Sequence, residues 1–163
     1  MKDGTVKSWG FNSNGQLGNG SSLPGTKRTK PVRVVNLSGV KAVAAGGYHS
    51  LALLGSGRVK SWGKNTSGEL GNGTSGAGTD RSTPGYVADL TNVRFISGGA
   101  YHSLAVLESG RVRSWGYGYY GELGNGASGP GVYSDVPVAV KNLPNAKNVD
   151  GGYMFTLATT FTL

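Results

Sequence analysis

One five-residue string recurs three times at an unvarying step. Val6-Lys7-Ser8-Trp9-Gly10 returns as Val59-Lys60-Ser61-Trp62-Gly63 and as Val112-Arg113-Ser114-Trp115-Gly116, with the tryptophans 53 residues apart both times. Gly15-Gln16-Leu17-Gly18-Asn19-Gly20 returns at the same step as Gly68-Glu69-Leu70-Gly71-Asn72-Gly73 and Gly121-Glu122-Leu123-Gly124-Asn125-Gly126. Pro31, Pro84 and Pro137 keep the step, as do Leu37, Leu90 and Leu143, and Leu51, Leu104 and Leu157. A repeat of this length without insertions is one supersecondary unit, which buries its apolar face only by stacking on its neighbours.

The pattern inside each unit is β. Val40 to Ala45, His49 to Leu54, Arg58 to Trp62 and a segment around Pro84 to Val87 read as four short strands bounded by Gly and Asn turns. Gly55-Ser56-Gly57 and Glu108-Ser109-Gly110 read as tight hairpin loops. The prolines suit an edge strand, where a missing N–H costs nothing. No segment sustains a helical period. Four strands per unit of about 50 residues predict an all-β fold, a β-propeller array of four-stranded antiparallel blades. About three blades are expected in the single segment 1–163: whole blades 38–90 and 91–143, and a split blade formed by 144–163 and 1–37. The small residues Ala42, Ala44, Ala45 and Gly46, then Ser97, Gly98 and Gly99, suit an innermost strand, where blades crowd at the axis.

The strings Gly-x-Val-Lys-Ser-Trp-Gly, Gly-Glu-Leu-Gly-Asn-Gly and Ala-Ala-Gly-Gly-Tyr-His-Ser-Leu-Ala-Leu closely resemble the repeat of the regulator of chromosome condensation family, over essentially the whole chain. The resemblance implies a seven-bladed propeller. It also implies one of the family's roles: nucleotide exchange on a small nuclear GTPase, chromatin binding, β-lactamase inhibition, or service as a protein-interaction module. Three repeats fall short of seven.

The chemistry-bearing residues are few. No cysteine is present, so disulfides and thiol nucleophiles are excluded. The two histidines, His49 and His102, share one repeat slot, and the third copy places Phe155 there. A slot that accepts His or Phe reads as packing at a strand start rather than as catalysis. No carboxylate pair recurs beside it, and no His, Cys or Asp set is spaced to hold a metal. Gly116 to Gly121 formally matches G-x-G-x-x-G, but Glu122-Leu123-Gly124-Asn125-Gly126 cannot be the helix that a dinucleotide site requires. Glu69 and Glu122 align with Gln16, so hydrogen bonding inside the loop is their expected role. We therefore expect no catalytic residue, no metal, no cofactor and no enzyme activity.

Sixteen Lys and Arg against eight Asp and Glu give a net charge of +8. Lys7, Lys60 and Arg113 are matched in register, as are Arg58 and Arg111, and their stems are expected to cover the tryptophans with cation–π contact. Lys27, Arg28, Lys30 and Arg33 form a local basic patch that the other copies do not repeat. It allows contact with phosphates, so nucleic acid is a partner class the sequence permits without favouring. No apolar run spans a bilayer, and Met1-Lys2-Asp3-Gly4 is polar, so a cytoplasmic protein without membrane association is expected.

The favoured partner is a protein. In antiparallel blades the loops after strands one and three emerge on the same side. The first set carries Tyr48, Tyr101 and Tyr153, and the second carries Phe11, Lys64, Tyr117, Tyr119 and Tyr120 where the copies differ most. Variable loops on a fixed scaffold are where recognition sits, and Tyr freezes few rotors for a large contact. The competing role for these side chains is packing over neighbouring blades. The termini are complementary halves of one blade, which predicts a head-to-tail homo-oligomer: two chains give six blades, the expected number, and three give nine. The alternative is a piece of a longer seven-bladed propeller that acts as a GTPase exchange factor or a basic chromatin or nucleic-acid binder.

Overall fold

The computed structural model describes residues 5–23 and 26–161. The polar Met1–Gly4 start and the last two residues of the expected half-blade 144–163 lie outside them.

The described residues form twelve strands and no helix. The first pair is β1 (Lys7–Gly10) with β2 (Arg28–Arg33). A four-stranded sheet follows: β3 (Val40–Ala45), β4 (His49–Leu54), β5 (Val59–Gly63) and β6 (Arg81–Tyr86). The second four-stranded sheet holds β7 (Val93–Gly98), β8 (His102–Leu107), β9 (Val112–Tyr117) and β10 (Tyr133–Ala139). The last pair is β11 (Ala146–Gly151) with β12 (Thr156–Thr160). All pairings are antiparallel and follow chain order, which is the up-and-down connectivity of propeller blades. Among the described residues, no helix is long and apolar enough to cross a membrane.

The sequence dictates these sheets locally. In the β4–β5 hairpin, Gly57 takes φ 76°, a conformation an L side chain rarely adopts, and its N–H donates to the Leu54 carbonyl at 2.9 Å. Pro31, Pro84 and Pro137 all lie in the outermost strands β2, β6 and β10, where one edge has no ladder to complete.

The core sits between sheets rather than within them. Leu51, Leu53 and Val59 of one sheet pack with Val93, Ile96, Ala105 and Trp115 of the next, closed at the rim by Val87 and Leu90. Close approach is required at the Leu-Gly step of the loop: a Cβ on Gly71 would lie 2.7 Å from the Trp115 indole, and one on Gly18 would lie 2.7 Å from Trp62. Each glycine is the floor on which the next unit's tryptophan lies. The indole N–H then donates back across the junction, Trp62 Nε1 to the Gln16 carbonyl and Trp115 Nε1 to the Glu69 carbonyl, both at 2.9 Å.

The basic residues Arg58, just before β5, and Lys60, on it, have a different partner from the one expected. Arg58 Cζ lies 3.7 Å from the Tyr86 ring centroid and Lys60 Nζ lies 4.9 Å from it. Lys60 is paired with Tyr86 in the β5–β6 register, so the exposed tyrosine on the neighbouring strand receives both cations. Trp62 is already buried against the preceding unit and has no face to offer.

Candidate functional site

Two polar systems organise the junctions and loops, and they leave one aromatic surface free for contact. The first system contains the histidines. Ser103 Oγ donates to the Glu69 carbonyl at 2.8 Å, so it can only accept from His49 Nε2, also 2.8 Å away. Thr156 Oγ1 likewise donates to the Glu122 carbonyl at 2.8 Å and accepts from His102 Nε2 at 3.0 Å. These bonds fix both rings as the Nε2–H tautomer and tie each sheet to the next. Both Nδ1 atoms are buried with no partner among the described residues. Burial lowers His49 from 6.5 to about 3, with the nearby His102 adding to the effect, and burial lowers His102 to about 4. Neutral rings that bridge sheets are structural groups, as the His-or-Phe slot implies.

The second system shapes the long loops between the third and fourth strands. Gln16 Oε1 accepts from Asn14 N at 3.0 Å, Glu69 Oε2 from Ser67 N at 2.7 Å, and Glu122 Oε2 from Tyr120 N at 2.8 Å. The three loops thus use one device, whether the residue is Gln or Glu. Desolvation raises the Glu69 carboxyl above its ordinary value. Asn65 Oδ1 accepts from Leu70 N at 3.0 Å while its Nδ2 donates to the Thr74 carbonyl at 2.8 Å, and Asn12 makes the matching bonds with Leu17 and Ser21. Both asparagines are fully buried, so these loop positions are scaffold although they fall in the variable stretch. The third copy has Gly118 in this slot, and its loop is held instead by Gly118 N to the Val132 carbonyl at 3.1 Å.

On this scaffold the aromatic loop residues form one connected strip. Phe11 meets Tyr48 edge-on at 6.4 Å between ring centroids, and Tyr48 stacks on Tyr101 at 5.9 Å. Tyr101 meets Tyr117 and Tyr153 edge-on, Tyr117 stacks on Tyr119 at 6.2 Å, and Tyr119 meets Tyr120 at 4.8 Å. Lys64 Nζ lies over both Tyr48, at 5.4 Å, and Tyr101, at 5.0 Å. All eight residues singled out on the two loop sets are therefore brought together, although Phe11 and Tyr153 stand 142 positions apart in the chain (153 − 11). Tyr153 occupies the slot of Gly47 and Ala100, one position before that of Tyr48 and Tyr101, which is why it does not extend the Tyr48–Tyr101 stack. The Tyr153 side chain raises the Tyr101 phenol above its usual range, chiefly through hydrogen bonding, and Tyr117 is raised by desolvation. Lys64 is the basic side chain of this strip.

The basic patch lies elsewhere. Lys27, Arg28, Lys30 and Arg33 run along the outermost strand β2 and its entry. Arg28 is turned onto the Thr26 carbonyl at 3.1 Å, whereas Lys27, Lys30 and Arg33 are exposed, with Arg33 opposite Lys7 in the register.

The regulator of chromosome condensation (RCC1) repeat matches residues 3–53, 56–106 and 109–159. Among curated proteins, the chain is similar to the human probable E3 ubiquitin-protein ligase HERC3, 42% identical over 127 residues, which cover 76% of this chain and 12% of that protein. It is also similar to the ultraviolet-B receptor UVR8 of Arabidopsis thaliana, 36% identical over 123 residues, which cover 74% of this chain and 27% of the receptor. Among solved structures, Prp20p of Saccharomyces cerevisiae superposes on 100% of the chain with a TM-score of 0.87 at 28% identity, using 41% of its own length. The chain thus spans less than half of each.

Proposed function

The chain belongs to the regulator of chromosome condensation repeat family, and we propose that it is a non-catalytic protein-interaction module, self-assembled head to tail, whose contact surface is the aromatic strip. The observation that carries this reading is the connected run from Phe11 through Tyr48 and Tyr101 to Tyr117, Tyr119 and Tyr120, with Tyr153 beside it and Lys64 across it. Rigid aromatic side chains lose little entropy on binding and present large apolar area with polar tips. The loops that carry Phe11, Lys64 and Tyr117 to Tyr120 are held from below by buried Asn12, Asn65, Glu69 and Glu122, which preorganises that part of the surface. Prp20p, which this chain resembles, has binding properties toward Gsp1p and histones, and that supports a protein as the class of partner. The matched stretch is 12% of the human ligase relative, so ligase activity is not carried over.

Photo-crosslinking tests the reading without a named partner. A benzophenone amino acid replaces exposed Tyr120 in one variant and exposed Lys30 of the basic strand in another. Irradiation in cells is expected to give discrete protein adducts from position 120 and few from position 30. Nucleic-acid adducts concentrated at position 30, with none at 120, would overturn the assignment in favour of the basic strand.

A further inference from the structure

The two ends of the chain are the two halves of a junction that the chain makes inside itself. The complete junction between the four-stranded sheets contains Leu51, Leu53, Val59, Val87, Leu90, Val93, Ile96, Ala105 and Trp115. At the N-terminal junction the repeat-equivalents Val6, Val34, Leu37, Val40, Ala52 and Trp62 are assembled, but the counterparts of Leu51, Leu53 and Ile96 are missing. One of these, Val43, is present in the chain and lies 57% exposed, whereas Ile96 in the same slot is 5% exposed. At the C-terminal junction Leu104, Val106, Val112, Val140, Leu143, Ala146 and Val149 are assembled, and the counterparts of Ala105 and Trp115 are missing. Those counterparts are Ala158, which lies exposed on β12, and the tryptophan of a following unit. Meanwhile Trp9 lies 62% exposed at the other end, where Trp115 is fully buried, and Leu157 is 61% exposed where Leu51 and Leu104 are fully buried.

The polar partners are divided in the same way. The Gln16 and Glu69 carbonyls each accept two bonds, from Ser50 and Trp62 in one case and from Ser103 and Trp115 in the other. The Glu122 carbonyl accepts from Thr156 and has no indole donor among the described residues. Beside it Gly124, in the slot of Gly18 and Gly71, floors an open groove of about 550 Å³ lined by Glu122, Val140, Leu143, Phe155 and Thr156. This is the position a tryptophan takes at both internal junctions. Among the described residues, β12 pairs only with β11 and β1 only with β2, so β12 and β1 are not paired with each other.

We propose that a second copy of this chain completes the split blade, with β12 of one copy pairing antiparallel to β1 of the other. This deepens the self-assembly part of the function proposed above and rests on it. The register is inherited from the internal hairpins, where Ser50 faces Trp62, Leu51 faces Ser61 and Ala52 faces Lys60. It sets Thr156 opposite Trp9, Leu157 opposite Ser8 and Ala158 opposite Lys7. Trp9 enters the groove over Gly124 and its Nε1 donates to the Glu122 carbonyl, while Leu157 covers Val43. Phe155, in the histidine slot, brings no imidazole that needs a partner across this contact. Two such contacts close a ring of two chains, with the six blades that lie inside the usual range of about four to eight. The ring would also join the aromatic strips of the two copies, since Tyr153 at one end would face Phe11 and Tyr48 of the other.

Sedimentation of the 163-residue chain at micromolar concentration, combined with cysteine pairing, tests this. The expected mass is twice the 16.7 kDa of the chain. Lys7→Cys chains mixed with Ala158→Cys chains should form a disulfide-linked pair, whereas Lys7→Cys with Thr160→Cys should not. Trp9→Ala and Leu157→Glu, both at exposed positions of the free chain, should each weaken the dimer about a hundredfold. An equimolar mixture of the two should regain dimers, because one of its two contacts is intact. A monomer overturns both self-assembly and this contact. A dimer that lacks the Lys7–Ala158 link, or a mixture that regains nothing, overturns the register alone and leaves self-assembly standing.

Discussion

Trp62 and Trp9 occupy the same slot in the repeat, follow the same residues and open the same loop, yet one is buried and the other lies in solvent. The difference is not in the pairing to the fourth strand, since each stands on a third strand paired to a fourth. It lies in the neighbour. Trp62 is part of a sheet whose β3 and β4 run beside it, and it rests on the Gly18 floor of the unit before. Among the described residues, Trp9 has neither a second strand at its side nor a preceding glycine floor. In a repeat fold, then, burial belongs to junctions between units, and a residue's sequence context cannot state it.

The largest test of this contrast is truncation of the tryptophans. Trp115→Ala should destabilise the chain by about 3–5 kcal/mol, as loss of a fully buried aromatic does. Urea melts should show that loss equally at low and high protein concentration. Trp9→Ala should leave the dilute chain's unfolding midpoint nearly unchanged and should matter only as concentration rises. Equal, concentration-independent losses for both would break the contrast.

A smaller effect separates the histidine junctions from the end that carries Phe155. His49 has its pKa lowered by burial to about 3, so the folded chain binds fewer protons than the unfolded one. Its contribution is complete above the unfolded value of 6.5 and is lost as pH falls toward 3. By pH 5 about 2 kcal/mol should be gone. His49→Phe, which copies the Phe155 slot, should remove that share of the slope between pH 7 and pH 5. An unchanged slope would show that the ring titrates freely in the fold.

An effect of similar size distinguishes the loops. Asn65→Ala removes the side chain that holds Leu70 N and the Thr74 carbonyl, and should cost about 1–3 kcal/mol. Proteolysis should then begin in that loop. The third loop has glycine in this slot and a different set of bonds, so Gly118→Asn should not stabilise it: a Cβ there would lie 2.9 Å from the Leu123 side chain and 3.0 Å from Val132.

What the sequence disclosed, and what it hid, divides along the same line. Strand β3 at Val40–Ala45 and β4 at His49–Leu54 are legible because short apolar runs bounded by Gly or Asn turns are local properties. The shared loop role of Gln16, Glu69 and Glu122 is legible because three aligned copies show which chemistry the slot tolerates. Antiparallel connectivity alone places Tyr48 near Phe11. The bonds across junctions were not legible. His49 to Ser103 spans 54 residues and Trp115 to Glu69 spans 46, and neither spacing announces itself in a single unit. The partner of Arg58 and Lys60 is hidden inside a single unit, because a register shift between Ser61 and Gly63 brings Tyr86 opposite Lys60. The burial of Asn12 and Asn65 was hidden for another reason: each asparagine serves a loop that closes over it up to 14 residues later.

Amide hydrogen exchange measured at several protein concentrations tests the central claim, that the exposed ends are the two halves of an interior junction. The amides of Thr156–Thr160 in β12, and those of β1, should exchange quickly in the dilute chain. They should approach the protection of β4 and β5 as concentration rises, while β4 and β5 themselves hardly change. Ends that exchange equally fast at every concentration, with β12 never gaining protection, would contradict the account.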